Sequence, residues 1–218
     1  DLGKEELVEF FKIIFTSRKV DDAEITMKKQ SKAFFQISGA GHEGVLAAAS
    51  KVLKPKYDWF VPYYRDRALC IGLGVTPYEM LCQANGNVDD TSSHGRQMPA
   101  HWGNVNLNIV NKSSCTGTQF LQAVGIAETG EYYNKLSNIG VKHDRPYYSD
   151  EIVYVSSGDG TTSQGEFWEA LTTASVNKLP VMFLIEDNGY AISVPVSVQT
   201  PKGSISKALA GFPGVTIF

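Results

Sequence analysis

The sequence has few cysteines, no long hydrophobic run and almost no charge imbalance, and each shortage excludes a class of protein. Cys70, Cys82 and Cys115 are odd in number and form no Cys-x-x-Cys pair. Neither a disulfide framework nor a structural zinc site is expected from them, and a reducing, cytoplasmic setting fits. Cys115 has no adjacent base in the sequence that would make it a nucleophile. Uninterrupted apolar runs reach about five residues, against the ~20 of a membrane helix, so no membrane partner is expected. With 20 basic and 23 acidic residues the formal net charge is −3, which gives no electrostatic case for nucleic acid or an anionic membrane. The chain opens on a charged amphipathic segment rather than the basic-then-apolar pattern of a secretory signal. No internal repeat or low-complexity tract stands out.

What is present is ordinary for a folded chain: 218 residues, 43% apolar and 20% charged, enough for a large α/β domain with a substantial core. Residues 4–30 have helical periodicity, with Leu7, Phe10, Phe11, Ile14 and Phe15 on one stripe that reads as a packing or partner-facing surface. Helices are expected from about His42 to Leu53, with a small-residue face at Ala47–Ala49, from Arg65 to Leu73, and from Pro77 to Ala84, where proline suits the first turn. Trp59-Phe60-Val61 reads as a short strand. Residues 85–111 lose all periodicity, and an irregular stretch of more than ~15 residues in a compact domain is usually functional or disordered. Helix resumes from about Thr116 to Leu136, and 138–150 reads as a polar excursion. A strand (151–156), helix (164–177) and strand (180–186) make a βαβ unit with parallel strands. Phe212–Phe218 looks like a turn feeding a strand whose continuation is absent, as in a truncated or partly ordered polypeptide. The expected organisation is an N-terminal helical segment (1–36) followed by an α/β domain (37–218).

The βαβ unit carries the strongest chemical signal. Gly158-Asp159-Gly160 follows the apolar run Ile152–Val155, and Asn188 follows Val181–Ile185. A carboxylate and a carboxamide therefore sit at the ends of two strands separated by one helix. Both are hard oxygen donors of the kind Mg²⁺ selects, often alongside substrate phosphates. Ligands of open parallel sheets bind beyond the carboxyl ends of the strands, and glycines flanking Asp159 let backbone approach a phosphate. The segment reads as half of a metal–diphosphate site.

The stretch from GDGTTSQGEFWEA to EDNGYAISVPVSVQT closely resembles the thiamine diphosphate motif in the alpha part of the decarboxylating component of 2-oxo acid dehydrogenase complexes. PYYRDR (62–67), GRQMPAHWG (95–103) and SSCTGTQFLQAVGIA (113–127) follow the same family in order and spacing. The resemblance thus covers nearly the whole chain, and it is nearest the branched-chain (2-oxoisovalerate) members. It implies an α/β three-layer sandwich with a mainly parallel sheet, the thiamine diphosphate-binding fold.

Carried onto this sequence, the resemblance implies that Asp159, the Asn188 side chain and the Tyr190 carbonyl bind Mg²⁺. Gly158, Gly160 and Thr161 would present backbone to the diphosphate, and Tyr64 and Arg65 would hold its oxygens. Arg suits this because its planar fork donates two bonds at once. Ser114, Thr116 and Ile192 would contact the rest of the cofactor. Cys115 and Thr116 depart from the proline and leucine usual in that loop, and Thr116 falls where an apolar side chain props the cofactor into its bent shape. Ser113, Thr118 and Gln119 match a loop that can also hold potassium. His101 lies in a loop that the family places near the active site and is the candidate catalytic residue. His42 and His94, beside glycines, read as capping or turn residues, and His143 as solvated. Glu43 reads as a charge at a helix N-terminus, since consecutive helix residues such as His42 and Glu43 do not share a face.

The activity so implied is decarboxylation of a 2-oxo acid with transfer of the acyl group to a lipoyl-bearing acyltransferase, in a heterotetramer or a fused-chain homodimer. No residue here matches the activating glutamate, which the family carries in its beta part, or the later lipoyl-site histidine loop. Branched-chain 2-oxo acids are favoured by GRQMPAHWG and NGYAIS. Pyruvate or acetoin, a transketolase-like lyase, and an inactive diphosphate-binding module remain alternatives.

Overall fold

An apolar run, an amphipathic helix and a second apolar run dictate a parallel βαβ crossover, and that unit organises the C-terminal half of the chain. The computed structural model describes residues 2–140, 142 and 148–218. It divides into two compact units, one of residues 1–58 and 62–114, the other of 59–61 and 115–218.

In the second unit, β1 (Trp59–Val61), β2 (Val153–Gly158) and β3 (Val181–Glu186) form a parallel sheet in that order. Trp59 aligns with Val153, and Val153 with Val181. Strand β2 is buried along its whole length, as a central parallel strand must be. The α/β class and the parallel strands expected from the sequence are present. Strand β2 begins and ends two residues later than the apolar pattern suggests, because Ser156-Ser157-Gly158 continues the ladder opposite Leu184-Ile185-Glu186.

Helices α5 (Thr118–Asn138) and α6 (Gly165–Asn177) flank β2 in sequence. Phe120 of α5, Phe167 of α6 and Phe183 of β3 pack ring to ring, with centroids 5.1–6.3 Å apart. Such offset and edge contacts add to the burial of the rings themselves. Beyond β3, the strands β4 (Tyr190–Ala191) and β5 (Val194–Pro195) make a small antiparallel hairpin, followed by the short helices α7 (Val196–Gln199) and α8 (Ile205–Ala208). The turn expected near Phe212 is present at Pro213-Gly214, closed by the Val215 N–H on the Phe212 carbonyl, but residues 215–218 do not form the strand it was expected to feed.

The first unit is helical: α1 (Lys4–Lys29), α2 (Glu43–Val52), α3 (Arg67–Leu73) and α4 (Pro77–Asn85). Helices α2 and α3 meet closely at Gly72, where an added Cβ would lie 2.4 Å from the Ser50 Cβ. Ala47 and Ala49 of α2 are buried while Ala48 faces out, so three consecutive alanines do not share one face. Helix α4 begins with a reciprocal cap, the Glu79 N–H on the Thr76 hydroxyl and the Thr76 N–H on the Glu79 carboxylate. Glu43 at the head of α2 accepts from Gly41 N–H at 2.7 Å and pairs with Arg18 at 2.6 Å, as its helix-end position favours.

The apolar stripe of α1 is not its buried face. Leu7, Phe11 and Phe15 are about half exposed, and the rings of Phe11 and Phe15 stack. Polar residues anchor the helix instead. Arg67, 1% exposed, donates to Asp21 at 3.0 Å and to Glu24, and Gln36 donates to Asp21 at 2.6 Å. One guanidinium serves two buried carboxylates. Burial raises the Glu24 pKa to about 7, against the pull of Arg67 and with the charge of Asp21 adding to the rise.

Candidate functional site

The strand β2 delivers Asp159 at its carboxyl end, in a tight 3-10 turn (Asp159–Ser163) that precedes α6. Asp159 is 1% exposed. Its Oδ1 accepts the Asn188 N–H at 3.4 Å, while Oδ2 is buried with no hydrogen-bond partner. Burial pushes its pKa up, and the neighbouring Asp187 charge adds to this against the Asn188 N–H. A buried, half-satisfied carboxylate at a strand end is what a cation would complete. Around it, the Thr162 hydroxyl (2.7 Å) and the Gln199 side-chain amide (3.2 Å) both donate to the Asp159 carbonyl.

Asn188 enters the same neighbourhood from the end of β3. Its side-chain oxygen accepts the Tyr190 N–H at 3.0 Å, which folds the turn into β4. The structure therefore brings Asp159, Asn188 and Tyr190 together, through a backbone contact in the first case. Gly160 packs under the hairpin: a Cβ there would lie 2.6 Å from the Ala191 Cβ, so this glycine is required by close approach. Thr161 is buried beside it. Ile192, at the hairpin tip, is fully exposed and has φ +58°, an uncommon conformation for a β-branched residue. Thr116 is exposed just before Gly117, whose φ of +100° opens α5. Gln119 donates to the Ser156 carbonyl at 3.3 Å and keeps its own buried oxygen unpartnered, whereas the Thr118 hydroxyl donates to the Cys115 carbonyl. Among the described residues, no three His, Cys, Asp or Glu side chains cluster as a metal site, so a metal at Asp159 would rely on amide and carbonyl oxygens.

The other candidate residues lie in the first unit, where the irregular loop is held in place by buried polar groups. Asp90 accepts from the Ser92, Ser93 and Gly95 N–H groups, and Ser92 bridges to both N–H and C=O of Gly103. Gln83 of α4 donates to the His101 carbonyl and accepts from Ala100 N–H, and Asn111 also donates to the His101 carbonyl. His101 is thereby fixed by its backbone. Its ring Nδ1 lies 3.2 Å from the Pro99 carbonyl and Nε2 2.9 Å from the Ser114 hydroxyl. A carbonyl can only accept, so Nδ1 carries the proton and the Ser114 hydroxyl donates to Nε2. Burial, with the nearby Lys112 charge, lowers the His101 pKa against the pull of the Pro99 carbonyl, and this lowering favours the neutral ring.

Tyr64 and Arg65 follow β1 at the turn into α3. The rings of Tyr63 and Tyr64 are 3.8 Å apart between centroids, and the Arg65 guanidinium lies 5.5 Å from the Tyr64 centroid. Arg65 Nε is buried with no hydrogen-bond partner. Lys112 packs on the same two rings, at 5.6 and 5.5 Å, and burial lowers its pKa to about 8. Sequence reasoning missed Lys112, Gln83, Asp90 and Gln199. A lysine set directly against Ser113-Ser114 was a readable signal; the loop-holding role of Gln83 and Asp90 was not. His94 sits in a turn at φ +55° with its ring against the Val88 carbonyl, and His143 lies outside the described residues.

A parallel α/β unit with a buried acid at the end of its central strand is a scaffold shared by many nucleotide and diphosphate binders. Residues 12–217 match the dehydrogenase E1 component family, and the chain belongs to it. It is 34% identical over 99% of its length to the 2-oxoisovalerate dehydrogenase subunit alpha of Bacillus subtilis. It is 32% identical over 91% to the mitochondrial 2-oxoisovalerate dehydrogenase subunit alpha 2 of Arabidopsis thaliana, and 30% identical over 100% to the pyruvate dehydrogenase E1 component subunit alpha of Staphylococcus aureus. The chain spans 62%, 39% and 52% of the length of these three curated relatives, respectively.

Proposed function

We propose that this chain is the alpha part of a thiamine diphosphate-dependent 2-oxo acid dehydrogenase that decarboxylates branched-chain 2-oxo acids. It would work with a beta part, separate or fused, and pass the acyl group to a lipoyl-bearing acyltransferase, in the cytoplasm or the mitochondrial matrix. The observation that carries the reading is the buried Asp159 Oδ2, unpartnered at the end of β2 in a chain of this family. That donor set fits Mg²⁺: Asp159, the Asn188 carboxamide and the Tyr190 carbonyl are all hard oxygens. Bound thiamine diphosphate would supply the electron sink that decarboxylation needs. Gly158, Gly160 and Thr161 would offer it backbone, and Tyr64 and Arg65 would take diphosphate oxygens. Ser114, Thr116 and Ile192 would line the rest of the cofactor. His101, neutral and accepting at Nε2, would take a proton delivered through the Ser114 hydroxyl. The unpartnered Gln119 oxygen supports a potassium ion there.

The test is oxidation of 3-methyl-2-oxobutanoate with an artificial electron acceptor by the full chain assembled with its beta part. Turnover that needs Mg²⁺ and thiamine diphosphate is expected, with Asp159→Ala abolishing cofactor binding. Ketol transfer without decarboxylation would replace this reading with a transketolase-like one. Cofactor binding with no turnover of any 2-oxo acid would leave a diphosphate-binding module. The pyruvate reading is supported by the match of this whole chain to about half of a pyruvate dehydrogenase alpha subunit, 52% of its length, and a higher kcat/KM on pyruvate or acetoin would favour it.

A further inference from the structure

Lys112 is a charged group for which the proposed reaction has no use so far. It is 6% exposed, yet among the described residues its ammonium makes no ion pair or hydrogen bond. It rests against the faces of Tyr63 and Tyr64, and the ring quadrupoles offset part of the cost of burying it. A methionine would fill the same space without burying an amine. The charged and titratable groups around it are Asp66, Arg65, His101 and the two tyrosines. Asp66 favours the charged amine, but it accepts the Tyr63 N–H at 2.9 Å at the start of α3. His101 is neutral, held by Pro99 and Ser114. Arg65 lies on the same Tyr64 ring with its buried Nε unpartnered. Two cations thus lie against one tyrosine ring, the buried Arg65 Nε has no acceptor, and the nearby carboxylate, Asp66, is engaged by the Tyr63 N–H.

We propose that Lys112 is a second oxyanion-binding cation, acting with Arg65 on a phosphate or carboxylate oxygen of the small molecules this protein handles. The inference rests on the cofactor and substrate reading above, which offers two sources of that chemistry: the diphosphate of the cofactor and the carboxylate of the 2-oxo acid. An ammonium is a point charge with three donors, so it complements the fork of Arg65 rather than duplicating it.

The test uses the full chain with its beta part, as wild type, Lys112→Met, Lys112→Arg and Arg65→Ala. Calorimetry measures binding of Mg²⁺–thiamine diphosphate and of inorganic pyrophosphate, and steady-state kinetics gives KM and kcat for 3-methyl-2-oxobutanoate. Loss of one charge-assisted contact weakens an affinity by about tenfold or more. If the diphosphate is the ligand, Lys112→Met weakens both binding constants by that factor, and Lys112→Arg restores most of the loss. If the carboxylate is the ligand, cofactor affinity stays at the wild-type value while KM rises about tenfold at unchanged kcat, again with rescue by Arg. The proposal is overturned if neither quantity moves in Lys112→Met, or if Lys112→Arg is as impaired as Lys112→Met, since lost packing rather than lost charge would then explain the effect. Failure of the underlying reading looks different: wild type would bind no thiamine diphosphate, or Arg65→Ala would bind it undiminished. Inorganic pyrophosphate still reads the oxyanion site in that case.

Discussion

Replacing Asp159 by asparagine is expected to stabilise the metal-free chain while destroying its response to cofactor, and the two effects have opposite signs for one physical reason. The carboxylate is 1% exposed, and Oδ2 has no hydrogen-bond partner. A buried polar group left unpaired costs about 1–3 kcal/mol, and more when charged. Asparagine keeps an oxygen for the Asn188 N–H and leaves a neutral amide unpaired in place of a charge, so a gain of about 1–2 kcal/mol is expected without ligand. For a chain of this size that is a rise in Tm of roughly 2–8 °C. Mg²⁺ and thiamine diphosphate at a hundred times their Kd should stabilise wild type by about 2.7 kcal/mol, or roughly 5–11 °C. They should leave Asp159→Asn where it was. The pH dependence follows. Burial raises the folded pKa of Asp159 above its unfolded value, so the native state binds the extra proton between the two values. The metal-free wild type therefore loses stability as pH rises through that window, and the variant does not. Scanning calorimetry with and without Mg²⁺–thiamine diphosphate checks both halves. An Asp159→Asn protein less stable than wild type without ligand, or equally stabilised by it, would refute the argument that this acid is held unpaired for a cation.

Other substitutions give further expected outcomes. Arg67→Met leaves Asp21 and Glu24 buried without their cation and should cost about 3–5 kcal/mol in urea unfolding. Glu24 has a folded pKa of about 7 against 4.5, so wild type should lose stability as pH rises between those values, and Glu24→Gln should flatten that slope when unfolding is followed from pH 5 to 8. Gly160→Ala sets a Cβ against Ala191, and the displaced hairpin should cost about 1–3 kcal/mol and weaken Mg²⁺-dependent cofactor binding measured by fluorescence titration. Asn111→Ala removes a donor to the His101 carbonyl and should lower turnover more than cofactor affinity, since Asp159 is untouched.

The sequence by itself determined the βαβ unit, because an apolar run, a 3.6-residue period and a second apolar run have one parallel solution. It also placed Asp159 and Asn188 at strand ends, since the Gly-Asp-Gly and Asn-Gly turns terminate those runs locally. Such signals are carried by residues near one another in the chain. Tertiary structure decided what depends on distant partners. The stripe of Leu7, Phe11 and Phe15 is a strong local pattern, yet α1 is anchored through Asp21 and Glu24 on Arg67, more than forty positions away. Loop 85–111 has no period to read, and its order comes from Gln83, Asp90, Ser92 and Asn111 reaching across it. Lys112 is not among the residues that the sequence singles out. Its burial on Tyr63 and Tyr64 exists only once the chain has brought residues nearly fifty apart together.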